Sequence, residues 1–506
     1  MKGPFRTPVS SGRTWRIVGP ALAACTLMLV GGACSSEKPA AGSASGAGSS
    51  SGAGASSAGS STGGSSSGSS ATGSGGSIIV PDSGTGPCVG LECKQTTCSS
   101  GACEVPACEN GALTTVTGVV YDPSGTLPLY NVMVYVPNGA LEPLVEGANC
   151  NTCDVTVSGD PVVTAITDEA GKFVLEDVPV GAEIPLVIQV GKWRRQITLP
   201  AVAACTENPI ADASLTRLPA NQSEGDMPRI AVSTGAQDAL ECLLRKIGIS
   251  DTEFTNPDGG GRVNLFAGRQ GAGSYDGGED FPASSEALWD SLESLQSYDV
   301  VLLSCEGGQF ANDKPPAARQ ALLEYLNGGG RAFLSHWHKS WLEDGPAPLP
   351  DVVAFNNTDD DQNITATIDT SFPKGQALAQ WLLNVQGSTT LGQVELLDAQ
   401  NTAASENPEY ATRWIYDPMD QFTGETSVKY VTANAPIGVP ADQQCGRVVY
   451  SDIHVSSGDT SSPMDPFPTG CASQGLSPQE RVLVFMLFDL SACLIPDDVV
   501  PQPPPK

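Results

Sequence analysis

Histidine is scarce in this sequence: the 506 residues contain three, His336, His338 and His454. Basic side chains are scarce too, with 26 Lys and Arg against 56 Asp and Glu and a formal net charge of −30. Phosphate binding needs the opposite sign, so nucleic acid is excluded as a partner and an anionic bilayer surface is disfavoured. The acidity itself serves solubility or cation binding. Long hydrophobic runs are missing as well. The apolar stretch from Ile17 to Val30 is shorter than the roughly 20 residues that a membrane-spanning helix needs.

The charged residues before that stretch are all basic (Lys2, Arg6, Arg13, Arg16), and the residues after it are small, up to Cys34. The pattern is that of an export signal over 1–33. Gly31-Gly32-Ala33-Cys34 followed by Ser35-Ser36 resembles a bacterial lipoprotein processing site, which implies Cys34 as the lipidated first residue of the mature chain. Leu22-Ala23-Ala24-Cys25 offers a second match, so Cys25 stands as the alternative. The membrane is then a partner through a lipid anchor, and the folded part is periplasmic or at the cell surface. Residues 34–77 are almost wholly Ser, Gly and Ala after the cysteine. Such a composition cannot bury enough surface to offset its ordering entropy, so a disordered linker is expected, with a reach of roughly 35 to 40 Å.

Cysteine is plentiful. Cys88, Cys93, Cys98, Cys103 and Cys108 recur every five residues within 78–111. Zinc sites use shorter spacings and occur in reducing compartments, so this segment reads as disulfide-linked. Five is odd, so at least one partner lies elsewhere, with Cys205 and the Cys150/Cys153 pair as candidates. Cys150-x-x-Cys153 has redox spacing without the strand-then-helix context, which favours structural cross-links. Cys242 and Cys305 are expected to pair, with a displaced nucleophile at Cys305 as the alternative. Cys445 and Cys471 bracket one loop and form a further plausible pair.

Between 112 and 215, β-forming runs alternate with turn residues such as Asp122-Pro123-Ser124-Gly125 and Asp168-Glu169-Ala170-Gly171, and no helical period intervenes. This predicts a small antiparallel β-sandwich. TGVVYDPSG, LYNVMVYVP and TDEAGKFVLEDVPVG resemble the carboxypeptidase regulatory-like domain, a transthyretin-like module, which implies a non-catalytic spacer or adhesion role. Trp193-Arg194-Arg195 offers a small aromatic and cationic patch for a polymer, or else an ordinary strand with its aromatic ring packed.

From 226 to 496 strands alternate with helices: Arg229–Ser233, then a helix over 236–247, then Val263–Phe266, Tyr298–Ser304, a helix over 317–326, Arg331–Ser335 and Arg447–Asp452. Ser477-Pro478-Gln479-Glu480 is a capping box opening a final apolar helix. The alternation predicts an open parallel sheet, and ligands bind at the C-terminal edge of such sheets. Tyr298-Asp299-Val300-Val301-Leu302, Gly328 to His336 (GGGRAFLSH) and Gly446-Arg447-Val448-Val449-Tyr450 with His454 resemble the class I glutamine amidotransferase-like superfamily, in its ThuA-like branch. The family's nucleophilic cysteine and its His-x-Glu pair are missing: Ser335-His336 stands at the elbow, and no carboxylate stands two residues after His454. Thiolate amidotransfer through the elbow is therefore excluded.

All three histidines fall at expected strand ends. On an extended segment His336 and His338 point to one side, and His454 from a neighbouring edge completes an open three-histidine zinc site. His336, His454, Asp452 and Glu306 are the candidate catalytic groups, the two acids as general base or orienting partners. The oxygen-rich run Asp359-Asp360-Asp361-Gln362-Asn363 is a Ca²⁺ candidate, though it lacks the EF-hand spacing and glycine. The proline-rich tail over 497–506 is expected to be disordered. Three functions are compatible with this organisation. The leading one is an envelope-anchored binding or scaffold module for carbohydrate or another envelope polymer. The others are a ThuA-like hydrolase or sugar-processing enzyme using the histidines, and a structural spacer.

Overall fold

Seven short strands open the described chain: β1 (Thr115–Val119), β2 (Met133–Pro137), β3 (Pro161–Ile166), β4 (Lys172–Leu175), β5 (Gly181–Val190), β6 (Trp193–Val202) and β7 (Glu207–Pro209). They form two sheets, β4-β1-β7 and β3-β2-β5-β6. Alternation decides which way each strand faces, as in β3, where every second residue is buried. The pairing is antiparallel except between β1 and β7, which run parallel. The structure is a computed structural model, and it describes residues 105–153, 157–356, 358–455, 457 and 461–503. Cys25, Cys34, Cys88, Cys93, Cys98, Cys103 and the Ser/Gly-rich segment lie outside the described residues.

The remaining strands are β8 (Ile230–Ser233), β9 (Phe254–Thr255), β10 (Val263–Phe266), β11 (Val300–Leu303), β12 (Arg331–Ser335), β13 (Val353–Phe355), β14 (Gln362–Ile368), β15 (Gln393–Ala399), β16 (Ala403–Glu406), β17 (Ala411–Asp417), β18 (Ser427–Ala435) and β19 (Gly446–Ser451). All twelve belong to one sheet, ordered β15-β14-β17-β18-β19-β12-β11-β8-β10-β9, with β13 and β16 attached beside β18. The expected parallel sheet is thus only half of it. From β9 to β19 every pair is parallel, whereas from β19 outward through β18, β17, β14 and β15 every pair is antiparallel. The physical reason is the connection. β17, β18 and β19 follow one another with no crossover helix between them, and strands so joined fold back on one another, whereas β14 and β15 pair antiparallel across the helix Pro373–Asn384.

Helices α1 (Leu240–Lys246), α2 (Leu292–Gln296), α3 (Pro316–Asn327), α4 (Pro373–Asn384) and α5 (Pro478–Ser491) cover the sheet. The capping box of α5 forms as read: Ser477 accepts from the Glu480 amide, and the Glu480 carboxylate accepts from the Ser477 amide. Both flanks of α5 are apolar, so it is buried almost all round. It lies between the sheet and the sandwich, where Phe485 stacks on Tyr130 at 5.7 Å and Phe488 meets Trp193 at 6.1 Å. One continuous apolar core therefore runs through both parts, and they belong to one compact unit, Gly84–Lys506.

That packing overturns the idea of a surface patch at Trp193-Arg194-Arg195. Trp193 is fully buried, and Arg194 is paired with Asp226 at 2.8 Å. The tail is corrected as well. Asp497 is buried against Arg447 (2.6 Å) and Lys374 (3.2 Å), so the chain stays docked past Pro496.

Among the described residues, four disulfides tie this body together: Cys108–Cys205, Cys150–Cys445, Cys153–Cys493 and Cys242–Cys471. Two expected pairings fail, because Cys242 and Cys445 each find a different partner. Cys150 and Cys153 sit on an excursion of the sandwich and reach separately into the α/β part, so the Cys-x-x-Cys is structural. Cys493 carries no signal of its pairing in the sequence. Cys305 is a free, buried thiol. Four disulfides belong to an oxidising, extracytoplasmic compartment. Among the described residues, no helix is long and apolar enough to cross a membrane.

Candidate functional site

Three adjacent parallel strands, β11, β12 and β19, end side by side. Just past their C-terminal ends stand Cys305, His336 and His454. Continuous apolar runs make these strands buried on both faces, and the residues after each are delivered to the same edge. Cys305 Sγ lies 3.5 Å from His336 Nδ1, and His454 Nε2 lies 3.2 Å from that same nitrogen. All three donor atoms fall within 4.8 Å of one another.

The backbone at His336 is strained, with φ at +37°, a conformation that non-glycine residues rarely adopt and that tends to persist where the surroundings enforce it. This residue begins a helical turn over His336–Lys339. The expected extended His-x-His is therefore lost, and His338 rotates away from the cluster. His338 donates from Nε2 to the Ser304 carbonyl at 3.0 Å and accepts at Nδ1 from Trp341 Nε1 at 2.9 Å. With both nitrogens engaged it is a neutral structural ring, and burial pushes its pKa well down. The three-histidine site does not form; Cys305 takes the place assigned to His338.

The two acids proposed as bases are also spoken for. Asp452 accepts from Tyr450 Oη (2.6 Å), Thr402 Oγ1 (2.8 Å) and the Ala403 amide (2.9 Å). Glu306 is buried against Lys314 and accepts from the Arg269 amide. Glu306 Oε2 lies 3.9 Å from His338 Nε2, beyond hydrogen-bond reach.

The acid that organises the edge is one that sequence reasoning missed. Asp238, fully buried between β8 and α1, accepts from Ser335 Oγ, from the Cys305 amide at 3.2 Å and from the Val455 amide at 2.6 Å. One carboxylate thus pins the ends of β11, β12 and β19. Nothing in a single aspartate beyond a strand announces this role, although its place at the first strand end of the sheet is a usable signal.

Asp359 approaches from the turn between β13 and β14. Its Oδ1 lies 3.0 Å from His336 Nε2, near enough for an ion pair but not aligned as a hydrogen bond. This contact holds the Asp359 carboxyl below its ordinary range. Asp361 accepts from Gln400 Nε2, and among the described residues this run supplies no three carboxylates to one cluster. The run therefore does not gather its carboxylates around one point as a Ca²⁺ loop would.

Burial pushes the Cys305 thiol well up, and the Asp238 charge adds to it. Amides of Trp337 and Gly307 work in the opposite direction. Burial likewise lowers His454. A thiol held protonated and out of solvent is a poor nucleophile.

A second feature lies away from this edge. A cleft of about 940 Å³ separates the sandwich turn at Ser124–Pro128 from the end of α1, the end of α4 and the loop at 471–476. The disulfide Cys242–Cys471 forms part of its wall, and Arg245, Asn384, Gln386, Gln474 and Arg481 line it.

No family model matches the chain, and no curated protein matches it. Among solved structures the chain is similar to a putative ThuA-like protein from Bacteroides uniformis ATCC 8492, at 13% identity and a TM-score of 0.27, over 51% of this chain and 90% of that one. It is also similar to a cohesin–X-dockerin complex from Acetivibrio cellulolyticus, at 18% identity and a TM-score of 0.15, over 28% of this chain and 75% of that one. At these scores neither likeness enters the reading of the site.

Proposed function

We propose that this chain is a non-catalytic binding or scaffold module held at the cell envelope, and that its ligand is a carbohydrate-type envelope polymer seated in the cleft between the sandwich and the α/β body. The cleft carries the proposal. Its walls belong to two parts welded by disulfides and a common core, so little ordering cost is left for binding. Amide and guanidinium groups of Asn384, Gln386, Gln474 and Arg481 present the fixed donors and acceptors that sugar hydroxyls require. Arg481 is steadied by a bond from Nη1 to the Gln386 carbonyl at 3.4 Å. None of Cys305, His336 and His454 lines this cleft. The hydrolase reading asks for an approachable reactive group, whereas Cys305 is buried with its thiol pushed up.

Affinity electrophoresis of the mature chain through gels containing neutral or uronic-acid polysaccharides tests this. We expect retardation by at least one polymer, weakened roughly tenfold or more by Arg481→Ala or Asn384→Ala, as for loss of a hydrogen bond to a polar ligand group. Equal retardation of wild type and both variants, or none with any polymer, would end the cleft proposal.

A further inference from the structure

We infer that Cys305 Sγ, His336 Nδ1 and His454 Nε2 together bind one thiophilic transition-metal ion, of which zinc is the best fit. The donor set is the first reason. One thiolate and two imidazoles are ligands of zinc chemistry and unsuited to calcium or magnesium, which take oxygen.

The distances are the second. Bonds of about 2.0 Å to nitrogen and about 2.3 Å to sulfur around a tetrahedral ion put neighbouring nitrogens about 3.3 Å apart and nitrogen and sulfur about 3.6 Å apart. The structure places them at 3.2 Å and 3.5 Å. The third pair, Cys305 Sγ and His454 Nε2, lies within 4.8 Å, so closing the three donors on an ion asks for a side-chain shift at that pair.

Hydrogen bonding alone accounts less well for the cluster. His336 Nδ1 has one lone pair or one proton to offer. Two groups nevertheless converge on that one nitrogen, the thiol and the His454 ring. A cation at the centre takes a lone pair from each of the three. A carboxylate on the far nitrogen of a ligating histidine is also the usual outer partner of such rings, fixing tautomer and orientation. Asp359 sits in that position, which makes it a positioning residue rather than a ligand.

The scaffold supports rigid ligation. Asp238 fixes the backbone just after β11 and β19 and the last side chain of β12, so the three donors are held from one buried point. Three protein ligands leave one place of a tetrahedron for water or another small molecule. On loading, the thiol gives its proton to solvent and each neutral ring keeps its one proton on the nitrogen that does not face the ion, so binding weakens as the pH falls.

The test uses the mature, exported chain stripped with a chelator and titrated with Co²⁺ as a spectroscopic stand-in for zinc, followed by Zn²⁺. Expected are a thiolate-to-cobalt charge-transfer band and four-coordinate visible bands saturating at one equivalent, all displaced by Zn²⁺. Cys305→Ser abolishes the charge-transfer band, and His454→Asn abolishes one-equivalent binding. Asp359→Asn keeps the bands and weakens affinity about 10- to 100-fold. Near-ultraviolet circular dichroism of each variant establishes that it is folded. A folded wild-type chain that gives no thiolate band, or a band that survives Cys305→Ser, overturns the inference. Polymer retardation reads the cleft and is independent of these spectra.

Discussion

Glu241 illustrates how a single residue sets a pH dependence. It lies in the first turn of α1, fully covered, with Oε2 lacking a hydrogen-bond partner. Burial, with the Asp238 charge behind it, pushes its pKa from 4.5 up to about 8. Between those two values the folded chain keeps a proton that the unfolded chain has lost. Stability therefore falls as the pH rises through that window. Glu241→Gln should flatten this slope, leaving stability little changed below the window and raising it above. Urea unfolding of both proteins on either side of the window checks this, and a wild-type slope retained in the variant would refute it. Legibility at this scale was uneven. His336 and His454 were readable because rare residues at strand ends stand out. Cys305 was misassigned because a buried thiol and a disulfide look alike in sequence, and only the fold shows Cys242 taken by Cys471. His338 was lost to one backbone angle at His336, which spacing rules cannot foresee.

Among the elements, α5 was legible to within a residue, since its cap, its N1 proline and its apolar length all agree. Ser477 Oγ supplies one of the otherwise unpaired amide groups at that end with an acceptor. Ser477→Ala is expected to cost about 1 kcal/mol in chemical denaturation, with Ser477→Thr close to wild type. An unchanged midpoint in the alanine variant would show that Glu480 alone secures the cap. β10 and β12 were legible to the residue, as short, mostly apolar runs preceded by a basic residue or glycine. β13 to β18 left no trace in the sequence reading. In β14 the residues do alternate, with Ile364, Ala366 and Ile368 on the inner face and Asn363, Thr365 and Thr367 on the outer, but the buried Gln362 and the acids before it made the stretch read as an oxygen-rich loop. That gap concealed the antiparallel half of the sheet, and with it the turn that brings Asp359 to His336.

At the scale of the whole molecule, the two regions recognised in the sequence share one core and one set of cross-links. No local signal reports that Trp193 will pack on α5 or that Asp497 will dock beneath Arg447. Such contacts join residues far apart in the chain. The cross-links have the same character: Cys150 and Cys153 find partners 295 and 340 residues downstream, and Cys242 finds one 229 residues on.

Those separations set a problem of timing. A chain synthesised and delivered N-terminus first presents Cys150 and Cys153 to oxidants long before Cys445 and Cys493 arrive. Their nearest available partners are then each other, and later the unpaired Cys305. Maturation consequently depends on undoing early bonds by thiol exchange, which is slow without an isomerase. Acid-quenched samples taken during refolding of the reduced chain should contain a transient Cys150–Cys153 bond, detectable by peptide mapping. Direct appearance of the final pairs without it would argue that the sheet assembles first and chooses them.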